Sequence, residues 1–343
     1  MPELLRNHTT LRLGGQARDW VEARTEHELV DAVRSLDAAG EPVLVLAGGS
    51  NLVVADEGFA GTVVKVATTG VSADSDDPDD LACLGAVTVT VAAGEDWDAL
   101  VSRAVESGWV GIEALSGIPG SVGATPIQNV GAYGQEVSET LASVRTWDRR
   151  RAQLRTFAAA DCGFGYRTSR FKEEPGRFVV LDVTFLLKQG TLSAPVRYAE
   201  LAATLGVEPG ERAPLADVRA AVLKLRSGKG MVLDPEDHDT WSAGSFFTNP
   251  VVAPAEVPEG APAWPQPGGV KTSAAWLIEQ AGFRKGHGSA RVSLSSKHTL
   301  ALTNRGGGTT TELLDLAREI RDGVESRFGI RLVNEPVLVN CTL

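Results

Sequence analysis

At 343 residues, with 43% hydrophobic and 22% charged side chains, the chain is long enough for two or three domains, each with a core of its own. Its net charge of −11 argues against a nucleic-acid partner, because such binding rests on a positive surface field. No apolar run approaches the roughly 20 residues that span a bilayer, and Met1 to Asn7 lack the charged-then-apolar order of a signal peptide. The expectation is a soluble, cytoplasmic protein with no membrane contact.

Taken in chain order, the first signal is a helix. Thr25 and Glu28 form a capping box, Leu29, Val30, Val33 and Leu36 share one face, and Gly40 stops it. Pro42 to Leu46 (PVLVL) reads as a buried strand that runs into Ala47-Gly48-Gly49-Ser50-Asn51, and Gly61 to Ala67 gives another strand. Asp74 to Asp80 (DSDDPDD) is too polar for a core and reads as a solvated loop rather than a calcium site. Ala86 to Val91 alternates strictly, and Trp97, Leu100, Val101, Ala104 and Val105 then form a helix face ended by Gly108. Val144 to Thr156 and Phe178 to Leu187 are strand-like, and Leu215 to Leu225 is helical. Pro250 to Pro267 reads as a rigid loop without regular structure, and Lys271 to Gly282 as a helix. A last helix begins at the Thr309/Glu312 capping box, buries Leu313, Ile320, Val324 and Phe328, and leads to a strand over Arg331 to Val339. Cys83, Cys162 and Cys341 are too few and too scattered for a disulfide framework or a thiolate zinc site, and read as reduced, packed thiols.

Two segments gather glycine at strand ends, where exposed backbone N–H groups suit a phosphate. One is Gly48-Gly49-Ser50-Asn51. The other runs Gly117-Ile118-Pro119-Gly120-Ser121-Val122-Gly123-Ala124 and continues to Gln128-Asn129-Val130-Gly131-Ala132-Tyr133-Gly134. Neither holds G-x-G-x-x-G or a Walker lysine, so a Rossmann or P-loop site is disfavoured. Taken by spacing alone, such clusters also serve as plain tight turns.

The pairing of Leu46 to Val53 (LAGGSNLV) with Gly111 to Gly134 (GIEALSGIPGSVGATPIQNVGAYG) resembles the FAD-binding half of the UDP-N-acetylenolpyruvoylglucosamine reductase (MurB) family. The resemblance continues through Cys162 to Ser169 (CGFGYRTS), Gly244 to Pro250 (GSFFTNP), Lys271 to Ile278 and Asn334 to Val337, and so spans about Asn7 to Val339. Pro195-Val196-Arg197-Tyr198 is similar to the class that closes a tyrosine-bearing loop over its substrate. The fold implied is α+β: a two-subdomain FAD-binding fold of the vanillyl-alcohol-oxidase (PCMH) type at about 1–68 and 69–195, plus a C-terminal α+β substrate-binding domain at 196–343 whose last strand, near 331–340, returns toward the flavin.

By the same resemblance FAD is held by Gly48, Gly49, Ser50, Asn51, Leu52, Gly117, Ile118, Pro119, Gly120, Ser121, Gly123, Ala124, Asn129, Gly131, Ala132 and Tyr133. The family's reaction reduces FAD with NADPH, then delivers a hydride from flavin N5 to the methylene carbon of an enolpyruvyl ether, giving UDP-N-acetylmuramate for peptidoglycan precursor synthesis. Such a site must stabilise an aci-carboxylate and protonate a carbon. Arg167 matches the electrostatic partner, a fixed charge able to grip a carboxylate bidentately. Glu335 matches the carboxyl beside that group, and Ser245 the proton donor. Without the family context Arg167 would read as a salt-bridge residue and Glu335 as a solvated carboxylate.

By the same resemblance Tyr166, Tyr198, Asn249 and His298 are expected at substrate-contacting positions. The lysine segment before Asp234-Pro235 departs from the family pattern, so Lys229 is the expected cation for the substrate diphosphate only by default. Gly244-Ser245-Phe246-Phe247 is not the G-x-S-x-G of a hydrolase elbow. Asp234 to Asp239 (DPEDHD) carries one histidine without paired spacing and reads as a solvated loop, with no metal site. The family analogy implies a monomer acting on a small molecule. The rivals are another flavin oxidoreductase on the same scaffold and a non-catalytic nucleotide-sugar sensor; the sensor would need no proton donor such as Ser245.

Overall fold

The computed structural model describes residues 3–75 and 85–343, so Asp76 to Asp80 of the acidic stretch, and Cys83, lie outside the described residues. The chain divides into two compact units: Arg18–Gly48 with Ala60–Ser227, and Pro2–Ala17 with Gly49–Phe59 and Gly228–Leu343. These are packing units, and their limits differ from the functional segments expected at about residues 68 and 195.

In the first unit, the strand Val43–Leu46 pairs in parallel with Phe59–Val66, and Phe59–Val66 lies between it and Gln16–Ala23. A parallel pair needs a crossover. The helix Glu26–Ala38 lies between Gln16–Ala23 and Val43–Leu46 in sequence, starts at the Thr25/Glu28 capping box and buries Leu29 and Val33. The larger sheet is antiparallel in the order Gln153–Ala158, Leu141–Asp148, Phe178–Gln189, Ala86–Ala92, Val71–Ser75. Its alternation sorts the faces. Val87, Val89, Val91, Val183, Phe185 and Leu187 are buried together with Trp97, Leu100, Val101 and Ala104 of the helix Trp97–Glu106. Each large apolar side chain so covered stabilises the unit by roughly 1.5–3 kcal/mol. On the other face, Arg145 Nε donates to Asp182 (2.6 Å) and Nη1 to Glu26 (2.7 Å), tying the start of the Glu26–Ala38 helix to the large sheet. The helices Ala199–Leu205 and Leu215–Gly228 also belong here: Leu201, Val218 and Val222 bury against Val196 and Ala114.

In the second unit, the helix Thr310–Phe328 begins at the Thr309/Glu312 capping box and ends at Gly329 in the left-handed region. Its buried face includes Leu313, Ala317, Ile320 and Val324, which share a core with Leu277 and Ile278 of the helix Ala274–Gln280 and with Val292, Leu294 and Leu302. Asp56 accepts from the amides of Thr310 (2.7 Å) and Thr311 (2.9 Å), a negative charge at the positive end of the helix. Val337–Val339 pairs in parallel with Leu52–Val54.

Four expectations change. The span Val144 to Thr156 is two strands, because the chain turns through Arg149–Ala152, with Ala152 at a φ of 47°. Pro250 to Pro267 is not without regular structure. Val251–Val252 and Ala263–Gln266 flank Gly269–Thr272 in a three-stranded sheet, and Pro265 is tolerated because its strand is at the edge. The helix expected from Lys271 starts at Ala274, since Lys271 and Thr272 are in that sheet and Ser273 caps the helix by accepting from Trp276 N. The final strand is only Val337–Val339, Pro336 having no N–H for a ladder. Among the described residues no helix is long and apolar enough to cross a membrane, and no group of three or more His, Cys, Asp or Glu could hold a metal ion.

Candidate active site

The two glycine segments meet in the first unit through Gly48. A Cβ there would stand 2.6 Å from Gly120 Cα, 2.9 Å from Gly120 C and 3.0 Å from Ser121 N, closer than any side chain allows. The second segment is clamped from both ends. Gly117 N donates to Asp98 (2.6 Å), Gly120 O accepts from Trp97 N (3.0 Å), and the amides of Val122 and Gly123 donate to Glu95 O (2.8 Å) and Ala93 O (2.9 Å). Asp98 in turn takes both Nη atoms of Arg219 at 2.7 and 2.9 Å. Burial acts to raise the Asp98 pKa, but the Arg219 fork and the Gly117 amide outweigh it, and the carboxyl sits below its usual range. A backbone cradle that a single methyl would fill fits an extended dinucleotide such as FAD.

Ile118 and Pro119 bridge that clamp, and Ala124 follows it in a short 3-10 turn. Downstream, Gly131–Ala132 pairs with Gln135–Glu136. Asn129 is buried, donates to Glu136 (2.8 Å) and Gly165 O (3.2 Å), and accepts from Ser138 N (3.1 Å). Arg167 is half-buried, donates from Nη2 to Gly131 O (2.9 Å), and lies 5.9 Å from the Tyr166 ring. Among the described residues six non-glycine residues have positive φ, and three of them are Asn129, Tyr133 and Arg167. Backbone held in a sparsely populated region collects at functional sites. Tyr133 and Tyr198 meet edge to face at 5.4 Å, with Tyr198 exposed.

Gly49, Ser50, Asn51 and Leu52 belong to the second unit. Gly49 O accepts from Thr10 N (3.2 Å), Ser50 O from Thr10 Oγ1 (3.4 Å) and Asn51 O from Val337 N (2.9 Å), while Leu52 pairs with Val337. The same unit runs the segment after Ser245 alongside Asn334 and Glu335. Glu335 N donates to Phe246 O (2.8 Å), Phe247 bridges Asn334, and the buried rings of Phe246 and Phe247 fix the segment. Asn249 Oδ1 accepts from Ala274 N (2.9 Å), so half of its amide serves the helix start. His298 N donates to Ser295 Oγ (3.2 Å). Lys229 precedes Gly230, which adopts positive φ with Asp239 O only 3.0 Å from where its Cβ would be.

Several residues of this neighbourhood went unread in the sequence. Arg226 is half-buried near Tyr133, Asp98 and Arg167: desolvation lowers its pKa, while Tyr133 and Asp98 favour the charge. Its signal was its place three residues before Lys229. Glu113, inside the second glycine stretch, is fully buried. Asp239, in the acidic turn, is buried and accepts from Ser296 N (3.0 Å) and Arg305 Nη1 (2.5 Å), and its pKa is lowered despite burial.

The profile described as FAD binding domain matches residues 19–156, and that described as UDP-N-acetylenolpyruvoylglucosamine reductase, C-terminal domain, matches residues 234–339. The chain is 60% identical to the UDP-N-acetylenolpyruvoylglucosamine reductase of Cutibacterium acnes over 98% of its own length and 89% of that protein. It belongs to the UDP-N-acetylenolpyruvoylglucosamine reductase family. The family member from Thermobifida fusca is 56% identical, covering 99% of this chain and 97% of its own. The crystal structure of UDP-N-acetylenolpyruvylglucosamine reductase (MurB) from Thermus caldophilus is similar along 99% of this chain and 98% of its own, with a TM-score of 0.66 and 25% identity. The protein is therefore an FAD-dependent oxidoreductase of peptidoglycan synthesis, with a PCMH-type flavin fold and the reductase family's C-terminal domain.

Proposed function

We propose that the enzyme catalyses NADPH-dependent reduction of UDP-N-acetylglucosamine enolpyruvate to UDP-N-acetylmuramate, as a cytoplasmic monomer. The functional division at about residues 68 and 195 is part of this reading. What supports it, beyond family membership, is the backbone pairing that brings the Ser245–Phe247 segment alongside Asn334–Glu335. Bound FAD, held by Gly48, by the Gly117–Ala124 segment and by Gly49–Leu52, supplies the redox chemistry between NADPH and the enol ether.

The chain's own residues handle charge and the proton. As the methylene carbon takes up a hydride, negative charge spreads from the adjacent carbon into the carboxylate. Arg167 meets that charge with a guanidinium whose position is set by Gly131 O. Glu335, as the protonated acid, donates a hydrogen bond to the same group, and Ser245 Oγ gives its proton to the adjacent carbon, completing addition of one hydride and one proton across the double bond. A hydroxyl is a weak acid, but the carbanionic intermediate is a strong base. Tyr166, Tyr198, Asn249, Lys229 and His298 hold the nucleotide sugar.

The test is the visible spectrum of the purified protein, followed anaerobically. Flavin bands that bleach with NADPH and return with the enolpyruvyl sugar nucleotide support both half-reactions. Bands that bleach but do not return discard the substrate. In Ser245→Ala, bleaching should persist and the return should slow by roughly 10²–10⁴-fold; a normal return sinks the proton-donor role.

A further inference from the structure

We infer that Glu113 is a positioning residue that ties the Tyr198 segment to the flavin-side loops, and so sets how tightly the substrate is held. The inference rests on the reading of Tyr198 as a substrate contact. Glu113 is 0% exposed. Its Oε2 accepts from Gly111 N (2.6 Å), and its Oε1 accepts from Gln135 Nε2 (2.9 Å) and Ala194 N (2.7 Å). The three donors come from three segments: the turn that opens the second glycine stretch, the hairpin that carries Gly131 to Tyr133, and the approach to Pro195–Tyr198. Gln135 closes the network by accepting from Ala114 N (2.8 Å).

Above this anchor the rings of Tyr133 and Tyr198 meet at 5.4 Å. Tyr133 is two residues before Gln135, and Tyr198 four after Ala194. The exposed Tyr198 ring thus stands on a base that a buried carboxylate fixes relative to the Asn129–Tyr133 segment. Val196, between Ala194 and Tyr198, is buried and keeps the intervening chain in place by donating its N–H to Glu211 O (2.8 Å).

Both oxygens of Glu113 receive only donors. A glutamine of the same shape must turn its NH2 toward Gly111 N, losing one buried bond, or toward the Gln135 and Ala194 donors, losing two. In Glu113→Gln holoenzyme, the concentration of sugar nucleotide giving half-maximal reoxidation of NADPH-reduced flavin should rise about tenfold. Flavin content and the rate of reduction by NADPH should stay within about twofold. On a Tyr198→Ala background the same substitution should add less than about twofold, because its effect runs through Tyr198. A purely structural Glu113 would slow both half-reactions and add in full, which would overturn the inference.

Hydrogen exchange of residues 194–198 gives a readout independent of the substrate: it should quicken in Glu113→Gln, and unchanged exchange would also overturn the inference. If Glu113→Gln does not fold with FAD, Gln135→Met removes one donor to the carboxylate together with the acceptor of Ala114 N, keeps Glu113 itself, and carries the same two measurements. A wild-type flavin that the sugar nucleotide fails to reoxidise would sink the substrate assignment alone, leaving the exchange result to decide Glu113.

Discussion

Gly48→Ala tests whether the contact between the two glycine segments is a flavin cradle or a tight turn. The backbone at Gly48 is not in the left-handed region, so the added methyl acts by volume alone. Its carbon would lie 2.6 Å from Gly120 Cα, whereas carbon atoms rest at about 3.5–4.0 Å. The segments must part by about 1 Å, against backbone that Trp97 N, Glu95 O and Ala93 O hold on the far side. Overpacking of this kind costs about 1–3 kcal/mol. If the parted loops are those that grip the flavin, the loss appears as about 5- to 150-fold weaker FAD binding, at 1.4 kcal/mol per tenfold. The assay is titration of the apoprotein with FAD, read by quenching of flavin fluorescence, beside thermal unfolding of the apo form. Gly228→Ala is the control, since a Cβ there meets nothing within 4 Å and φ is unremarkable. An apoprotein destabilised by Gly48→Ala but binding FAD with wild-type affinity would mean that the contact is packing alone, and the cradle would have to be sought elsewhere.

Three other outcomes can be stated. Asp239→Ala should raise KM for the sugar nucleotide about tenfold while sparing flavin reduction by NADPH, because it frees Ser296 beside His298; Asp239→Asn, still able to accept from Ser296 N, should recover most of the loss, and equal damage from both would refute a positioning role. The Asp98 carboxyl is held below its usual value, so the stability it contributes is complete above its unfolded pKa of about 3.9 and disappears as pH falls through the folded value. Urea unfolding should therefore show a gap between wild type and Asp98→Asn at pH 7 that narrows below about pH 4, and a gap of constant size would contradict the assignment. Burial pushes the Cys162 thiol up to about 11, so alkylation of the native protein, followed by peptide mass spectrometry, should leave Cys162 unmodified until urea unfolds it; rapid native labelling would show that the site opens.

Local chemistry was legible and partnership was not. The capping boxes at Thr25/Glu28 and Thr309/Glu312 span four residues each and form as read. The helix expected from Lys271 begins late because Lys271 pairs with Trp264 and Val251, strands that a proline-rich sequence hides. Likewise the glycine stretches announce themselves by composition, whereas what joins them is an approach of Gly48 to Gly120 from a distant part of the chain. Glu113 and Asp98 look in sequence like ordinary surface carboxylates. Their partners are Gln135, 22 residues away, and Arg219, 121 residues away, and no periodicity encodes those pairings.

These carboxylates have a consequence for anion binding. Asp98 takes Gly117 N, Glu113 takes Gly111 N and Ala194 N, Asp239 takes Ser296 N, and Asp56 takes the first amides of the Thr310–Phe328 helix. Each of these carboxylates fixes a loop or a helix start by accepting from its backbone, Glu113 and Asp239 from buried positions. An amide so engaged has no hydrogen left for a phosphate. In the second glycine stretch Gly117, Val122, Gly123 and Ala124 all donate within the protein, and Pro119 has no N–H. Within Gly117–Ala124 that leaves the amides of Ile118, Gly120 and Ser121, and these flank the point where Gly48 makes its close approach. The cradle and the available donors therefore coincide, which is what a phosphate site built from backbone requires and what a simple reversal of chain direction does not.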